Sequence, residues 1–160
     1  MIGLSLDISS VCTGWSIVSN QNEEIIIIEY GKVERLKSSI LEYMVVIFDF
    51  IIDIIHKYSP EFIFIEDTFL RNTKTLKSLM EFHGVVQIAA SKSGIKNITK
   101  IYPSEIRKLV FNKGNITKKE ACEMLEKKFN LKLKTKGYDI SDALSVGIAG
   151  FVSKGLYKCF

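Results

Sequence analysis

The chain has 160 residues, nearly half of them apolar and a quarter charged, and a net charge of +4. That is enough chain to bury a substantial core, and the composition is that of a globular protein rather than a fibrous or disordered one. The mild positive balance permits nucleic-acid binding without demanding it, while three scattered cysteines with no C-x-x-C pair and only two histidines exclude an ordinary zinc site and suit a reducing cytosol.

Met1–Asp7 is a short apolar run that ends on a carboxylate and is followed at once by the turn formers Ser9, Ser10, Thr13 and Gly14. No basic segment leads into an apolar signal core, so a cytoplasmic location is expected. Trp15–Val18 and Ile25–Gly31, parted by a turn at Asn20-Gln21-Asn22, read as two further strands. Three strands joined by tight connections are most simply an antiparallel meander.

From Ser38 to Tyr58 apolar residues cover more than one face of a helix, which predicts packing on both sides. The apolar stretch Tyr43–Ile55 is too short to span a bilayer and is interrupted by Asp49 and Asp53. Ser59-Pro60 ends that helix. Glu61–Glu66 is a continuous apolar run too short for a helix, as a central strand covered on both faces reads. Reached through a helical crossover, it is expected to lie parallel to an earlier strand, and it too ends in acid.

A second helix spans Thr75–Ser91, with Gly84 inside it implying a close packing partner. Ile98–Tyr102, closed by Pro103, is a fifth strand, and Ser104–Arg107 opens a short helix. Thr117 and Glu120 form a capping box for another helix, with Ala121, Met124, Leu125 and Phe129 inward. Leu131–Gly137 reads as an exposed lysine-rich loop, and Asp139–Val152 as a closely packed last helix. The order β-β-β-α-β-α-β-α-α predicts a single α/β domain over 1–160. Its mixed five-stranded sheet is antiparallel over the first three strands, then parallel, and flanked by helices; this is the ribonuclease H-like order.

Asp7 and Glu66 end strands that emerge at the same sheet edge if they are parallel neighbours, and that edge is where open α/β sheets bind ligands. Asp139 and Asp142, three apart at a helix start, project from one face. Each has a plainer explanation, as a turn former or as an acid favoured by the helix dipole. Together they are four acids at three element ends. Clustered carboxylates repel and raise one another's pKa, and the usual remedy is a hard divalent cation held by oxygen ligands, Mg²⁺ or Mn²⁺. Two such ions about 4 Å apart activate water and stabilise the leaving oxygen in phosphodiester hydrolysis.

On these residues the sequence resembles the RuvC-type Holliday junction resolvases, in a compact bacteriophage-like form. The matching pieces are Leu4–Ser9 with Thr13-Gly14-Trp15, Phe64–Phe69, Gly84-Val85-Val86, and Tyr138–Leu144 with its D-x-x-D-A-L motif. The resemblance implies a Mg²⁺-dependent endodeoxyribonuclease, two ions per site, with Asp7, Glu66, Asp139 and Asp142 as metal-binding catalytic acids. It also implies a homodimer that nicks two symmetric strands of a four-way junction. Phe69 stands where the family places an aromatic that stacks at the junction centre, and Lys119, beside Lys118, falls near the family's catalytic lysine. Two departures are Ile8-Ser9 in place of the family's Pro-Gly, and a glycine-rich approach reduced to Lys113-Gly114-Asn115.

Arg71, Lys74, Lys77, Arg107, Lys108, Lys113, Lys118 and Lys119 flank the acidic edge as candidate phosphate contacts, though each is otherwise a solvated lysine or arginine. Phe69 beside them would either stack on a base, worth about 1–3 kcal/mol, or tuck into the core. His83, Cys12, Cys122 and Cys159 read as structural. The expected substrate is branched DNA, including forks and flaps. The alternatives are an RNA-processing nuclease of the same fold, similar to YqgF-type proteins, and a non-catalytic branched-DNA-binding protein. The chain is too short for the two lobes of a sugar-kinase or actin-like ATPase.

Overall fold

The computed structural model describes residues 1–67, 73–133 and 137–158, with the side chains of 73–75 outside that description. Strands β1 (Ile2–Asp7), β2 (Cys12–Gln21) and β3 (Glu24–Glu34) open the chain. Helix α1 (Ile40–Tyr58), strand β4 (Phe62–Glu66), helix α2 (Thr73–Lys92) and strand β5 (Ile98–Ile101) follow. Helices α3 (Pro103–Phe111), α4 (Lys118–Phe129) and α5 (Asp139–Ser153) complete it, so the short helix expected at Ser104 is a full additional element.

The sheet order is β3-β2-β1-β4-β5. The first three strands pair antiparallel, and β4 pairs parallel with β1 and with β5, as the expected meander and crossovers require. Asn22 and Glu23, both at positive φ, make the two-residue turn between β2 and β3. Such turns match the twist of the strands they join. The turn lies one residue beyond the expected one, and both strands run longer than their apolar cores.

Side chains alternate across the sheet, and the alternation decides what each face meets. Leu4, Leu6, Trp15, Ile17, Ile63 and Ile65 pack beneath α1 and α2. Val18, Phe64 and Ile101 face the other way, into a second core with α3, α4 and α5. Ser5 and Asp7 on β1, and Glu66 on β4, therefore belong to the α5 side.

The helices begin where their caps dictate. Ser39 and Glu42 form a capping box at α1, and Thr117 and Glu120 another at α4. Pro103 occupies the first turn of α3, where its missing N–H costs nothing. Two expectations are corrected. Helix α1 buries Tyr43, Ile47, Ile51 and Ile54 against the sheet, but its outer face leaves Leu41 72% and Val45 55% exposed. Gly84 has open space rather than a packing partner where a Cβ would stand.

His83 is buried on α2, a packing position, and burial holds its pKa down. Cys12 and Cys122 are free and partly buried, and Cys159 lies outside the described residues. Among the described residues no helix is long and apolar enough to cross a membrane.

Candidate active site

Three elements carry the four acids. The register pairs Leu6 with Ile65, so Asp7 and Glu66 end adjacent parallel strands about 4.8 Å apart on the side that faces α5. Helix α5 lies across β1 and β2 and presents Asp139 and Asp142 in its first turn. Gly137, at φ +96°, turns the chain into that helix, and a Cβ there would stand 2.8 Å from Asp139 Oδ2. The four acids named from sequence thus meet at one edge.

Their electrostatics follow from burial and mutual repulsion. Asp7 is driven up to about 8, first by burial and then by Glu66, Asp142 and Asp139. It is the carboxyl that feels all three others. Burial, with Asp142 adding to it, lifts Glu66 to about 7. Asp142 is also raised by burial, against the opposing pull of Lys118. Among the described residues, the Asp7 and Glu66 carboxylates accept no hydrogen bond and form no direct ion pair.

Lys118, the first residue of α4, reaches into this cluster and makes a short ion pair with Asp142 Oδ2. Burial pulls its pKa down, but Asp142, Asp7 and Glu66 more than offset that, and the net shift is upward. Lys119 points elsewhere. Its side chain is 76% exposed and lies 3.9 Å from Glu123, one turn along α4. The lysine that the structure brings to the acids is therefore Lys118 and not Lys119. Successive helix positions diverge by about 100°, so a one-residue difference changes the face entirely.

Arg107, on α3, faces Glu66 and Asp142 across a small cleft whose floor is Ile106, Phe111 and Ile116. In the sequence Arg107 is one candidate phosphate contact among many, and only the packing of α3 on α5 singles it out. The Cys12 thiol lies beside Asp139 and is pushed up to about 11, by burial first and Asp139 second. Lys77 is exposed in the second turn of α2, Lys108 is exposed on α3, and Lys113 faces Glu120 from the turn before α4. Phe69 and Arg71 lie outside the described residues, as does the side chain of Lys74.

The donor set is all oxygen, as hard divalent cations require. Two of its members, Asp7 and Glu66, are half-buried and have no direct ion pair among the described residues, and Lys118 and Arg107 offset their repulsion only in part, which is the condition a cation relieves. Among the described residues no three acidic, histidine or cysteine side chains are drawn together closely enough to cage an ion as they stand. The Lys118 ammonium is the cation ion-paired within the cluster, and the Arg107 guanidinium faces it from α3. By its all-oxygen donor set and its excess of four acids over the two facing cations, the site fits a divalent cation.

Comparison with known families matches residues 3–150 to the family described as Crossover junction endodeoxyribonuclease RuvC. A protein of that description from Fusobacterium nucleatum is 30% identical over 154 residues, covering 95% of this chain and 80% of the relative. Another, from Ruminiclostridium cellulolyticum, is 28% identical over 150 residues, covering 92% and 90%. A solved structure titled T. thermophilus RuvC in complex with Holliday junction substrate superposes with a TM-score of 0.85. It is 19% identical and covers 100% of this chain and 99% of its own, so the two share the ribonuclease H-like fold. The curated relatives named here are bacterial, which leaves the bacteriophage-like part of the resemblance without support.

Proposed function

The chain belongs to the crossover junction endodeoxyribonuclease RuvC family, and from that premise we propose how its acids and one lysine cut branched DNA. It is a structure-selective endonuclease that hydrolyses phosphodiesters, resolving Holliday junctions by paired nicks. The observation that carries the site assignment is the convergence of Asp7, Glu66, Asp139 and Asp142, from three elements, on one side of one sheet edge.

Asp7, Glu66, Asp139 and Asp142 would hold the divalent cations, two per site, Mg²⁺ with Mn²⁺ able to substitute. Such ions, when bound, supply an activated water and charge stabilisation at the leaving oxygen. Asp7, whose carboxyl feels all three other acids, would be among the residues that hold the cations. Lys118 keeps its proton on Nζ at neutral pH and offers that charge to the phosphate being cut. Arg107 approaches from the opposite wall and has the forked donors that grip phosphate oxygens. Arg71, Lys74, Lys77, Lys108 and Lys113 are the further candidates for phosphate contact, and Phe69 is the candidate for stacking at the junction centre. Symmetric nicking of a four-way junction requires two such sites, and a homodimer supplies them.

The test is a cleavage assay on matched four-way junctions, three-way junctions, forks, flaps and structured RNA, with Mg²⁺. Paired symmetric nicks confined to four-way junctions are expected. Equal cutting of forks and flaps, or preferential cutting of RNA, would overturn the junction reading.

A further inference from the structure

Thr13-Gly14-Trp15 runs beside the acids without contributing a reactive group. Thr13 and Trp15 face α1: Trp15 packs on Phe50, and Thr13 Oγ1 lies 3.1 Å from the Tyr43 hydroxyl. Gly14 faces the other way, toward α5. Its register partner on β1 is Asp7. A Cβ built on it would stand 2.0 Å from the Asp139 carbonyl oxygen and 2.4 Å from the carbonyl carbon. Carbon and oxygen keep about 3.3 Å apart even in favourable C–H···O contacts, so no side chain fits there. Gly14 is not at positive φ; the contact alone forbids a larger residue.

Gly14 therefore joins both ends of the acid cluster, laddered to Asp7 on one side and packed against the Asp139 peptide on the other. Asp142 shares that first helical turn, its N–H donating to the Tyr138 carbonyl at 2.8 Å. A second tie lies two residues along β2. Ser16 Oγ donates to the Ala143 carbonyl at 3.4 Å and sits 2.5 Å from Ser5 Oγ. These contacts hold α5 at a set height above β1 and β2.

We infer that Gly14 is a positioning residue: by admitting the Asp139 peptide against β2, it fixes the spacing between Asp7 and the Asp139–Asp142 pair. That spacing sets the affinity of the site for its divalent cations. The inference rests on the reading of those acids as cation ligands. A displacement of about 1 Å at such a site costs on the order of 10²-fold in rate.

The test is Mn²⁺ binding by the full chain, followed by loss of the free-ion EPR signal, alongside junction nicking. Gly14→Ala is expected to fold by far-UV circular dichroism and to bind four-way junctions within threefold of wild type. Its Mn²⁺ affinity should fall at least tenfold, with a matching rise in the Mn²⁺ needed for half-maximal nicking. Gly150→Ala presses a Cβ onto the Phe64 ring at the far end of α5. It should lower Tm yet leave Mn²⁺ affinity within threefold. Wild-type Mn²⁺ binding by Gly14→Ala overturns the inference, as does an equal loss in Gly150→Ala. If Gly14→Ala does not fold, Ser16→Ala decides: a threefold or greater loss of Mn²⁺ affinity supports the inference, and an unchanged affinity overturns it. Wild-type Mn²⁺ binding and nicking by Asp7→Asn would instead contradict the assignment of the acids themselves.

Discussion

At the scale of single residues, the division of labour between Lys118 and Lys119 is the sharpest claim. Lys118 is ion-paired within the acid cluster, whereas Lys119 sits on another face of α4 beside Glu123. Lys118→Ala is expected to slow junction nicking by about 10²-fold, the size of a lost transition-state charge contact, and Lys119→Ala by no more than about threefold. Single-turnover kinetics on a four-way junction would separate them, and the reverse ranking would return the role to Lys119.

Asp7 gives a second residue-scale prediction. Its carboxyl rises from 3.8 to about 8 on folding, so between those values the folded chain holds a proton that the unfolded chain has released. Stability is then fully present below the lower value and is lost as pH climbs through the upper one. Without divalent cations, the Tm advantage of Asp7→Asn over wild type should grow from pH 5 to pH 8, as scanning fluorimetry would show. A pH-independent difference would mean that the charge on Asp7 is relieved in some other way. The four acids were legible because each closes or opens an element. The inward lysine was not, because a capping box fixes where α4 begins but not which of two adjacent lysines the packing of α3 and α5 turns inward.

At the scale of elements, the caps and the open glycine make opposite predictions. Thr117 holds the α4 capping box and stands directly before Lys118, with Thr117 Oγ1 accepting from the Glu120 N–H at 3.2 Å. Thr117→Ala should cost about 1 kcal/mol in denaturant unfolding. Gly84 meets nothing within 4 Å, so Gly84→Ala should stabilise α2 by up to about 1 kcal/mol, where a packed glycine would instead be destabilised by the added methyl. The mixed sheet, antiparallel over its first three strands and then parallel, could be read from the sequence, since short apolar runs joined by helices leave few topologies. The true length of β2 could not. Thr13 and Asn20 read as turn residues, yet both are buried in the strand, as are the polar Ser16 and Ser19. Ser16 bonds to Ser5 and α5, and the Asn20 side chain donates to the Leu156 carbonyl. Such partners exist only once distant segments have met.

At the scale of the whole molecule, the outer faces of the adjoining helices α1 and α2 leave Leu41, Val45, Met80 and Ile88 exposed. The homodimer proposed above would bury this surface. A Leu41→Glu, Val45→Glu double variant should run as a monomer by light scattering and make single nicks where wild type makes pairs. An unchanged dimer would place the interface elsewhere. The central claim, that four acids from three elements form one cation-dependent cutting centre, is tested most directly by Glu66→Gln on a four-way junction with Mg²⁺. The account predicts that this variant binds the junction as wild type does and leaves it uncut. Nicking by Glu66→Gln at the wild-type rate would contradict it.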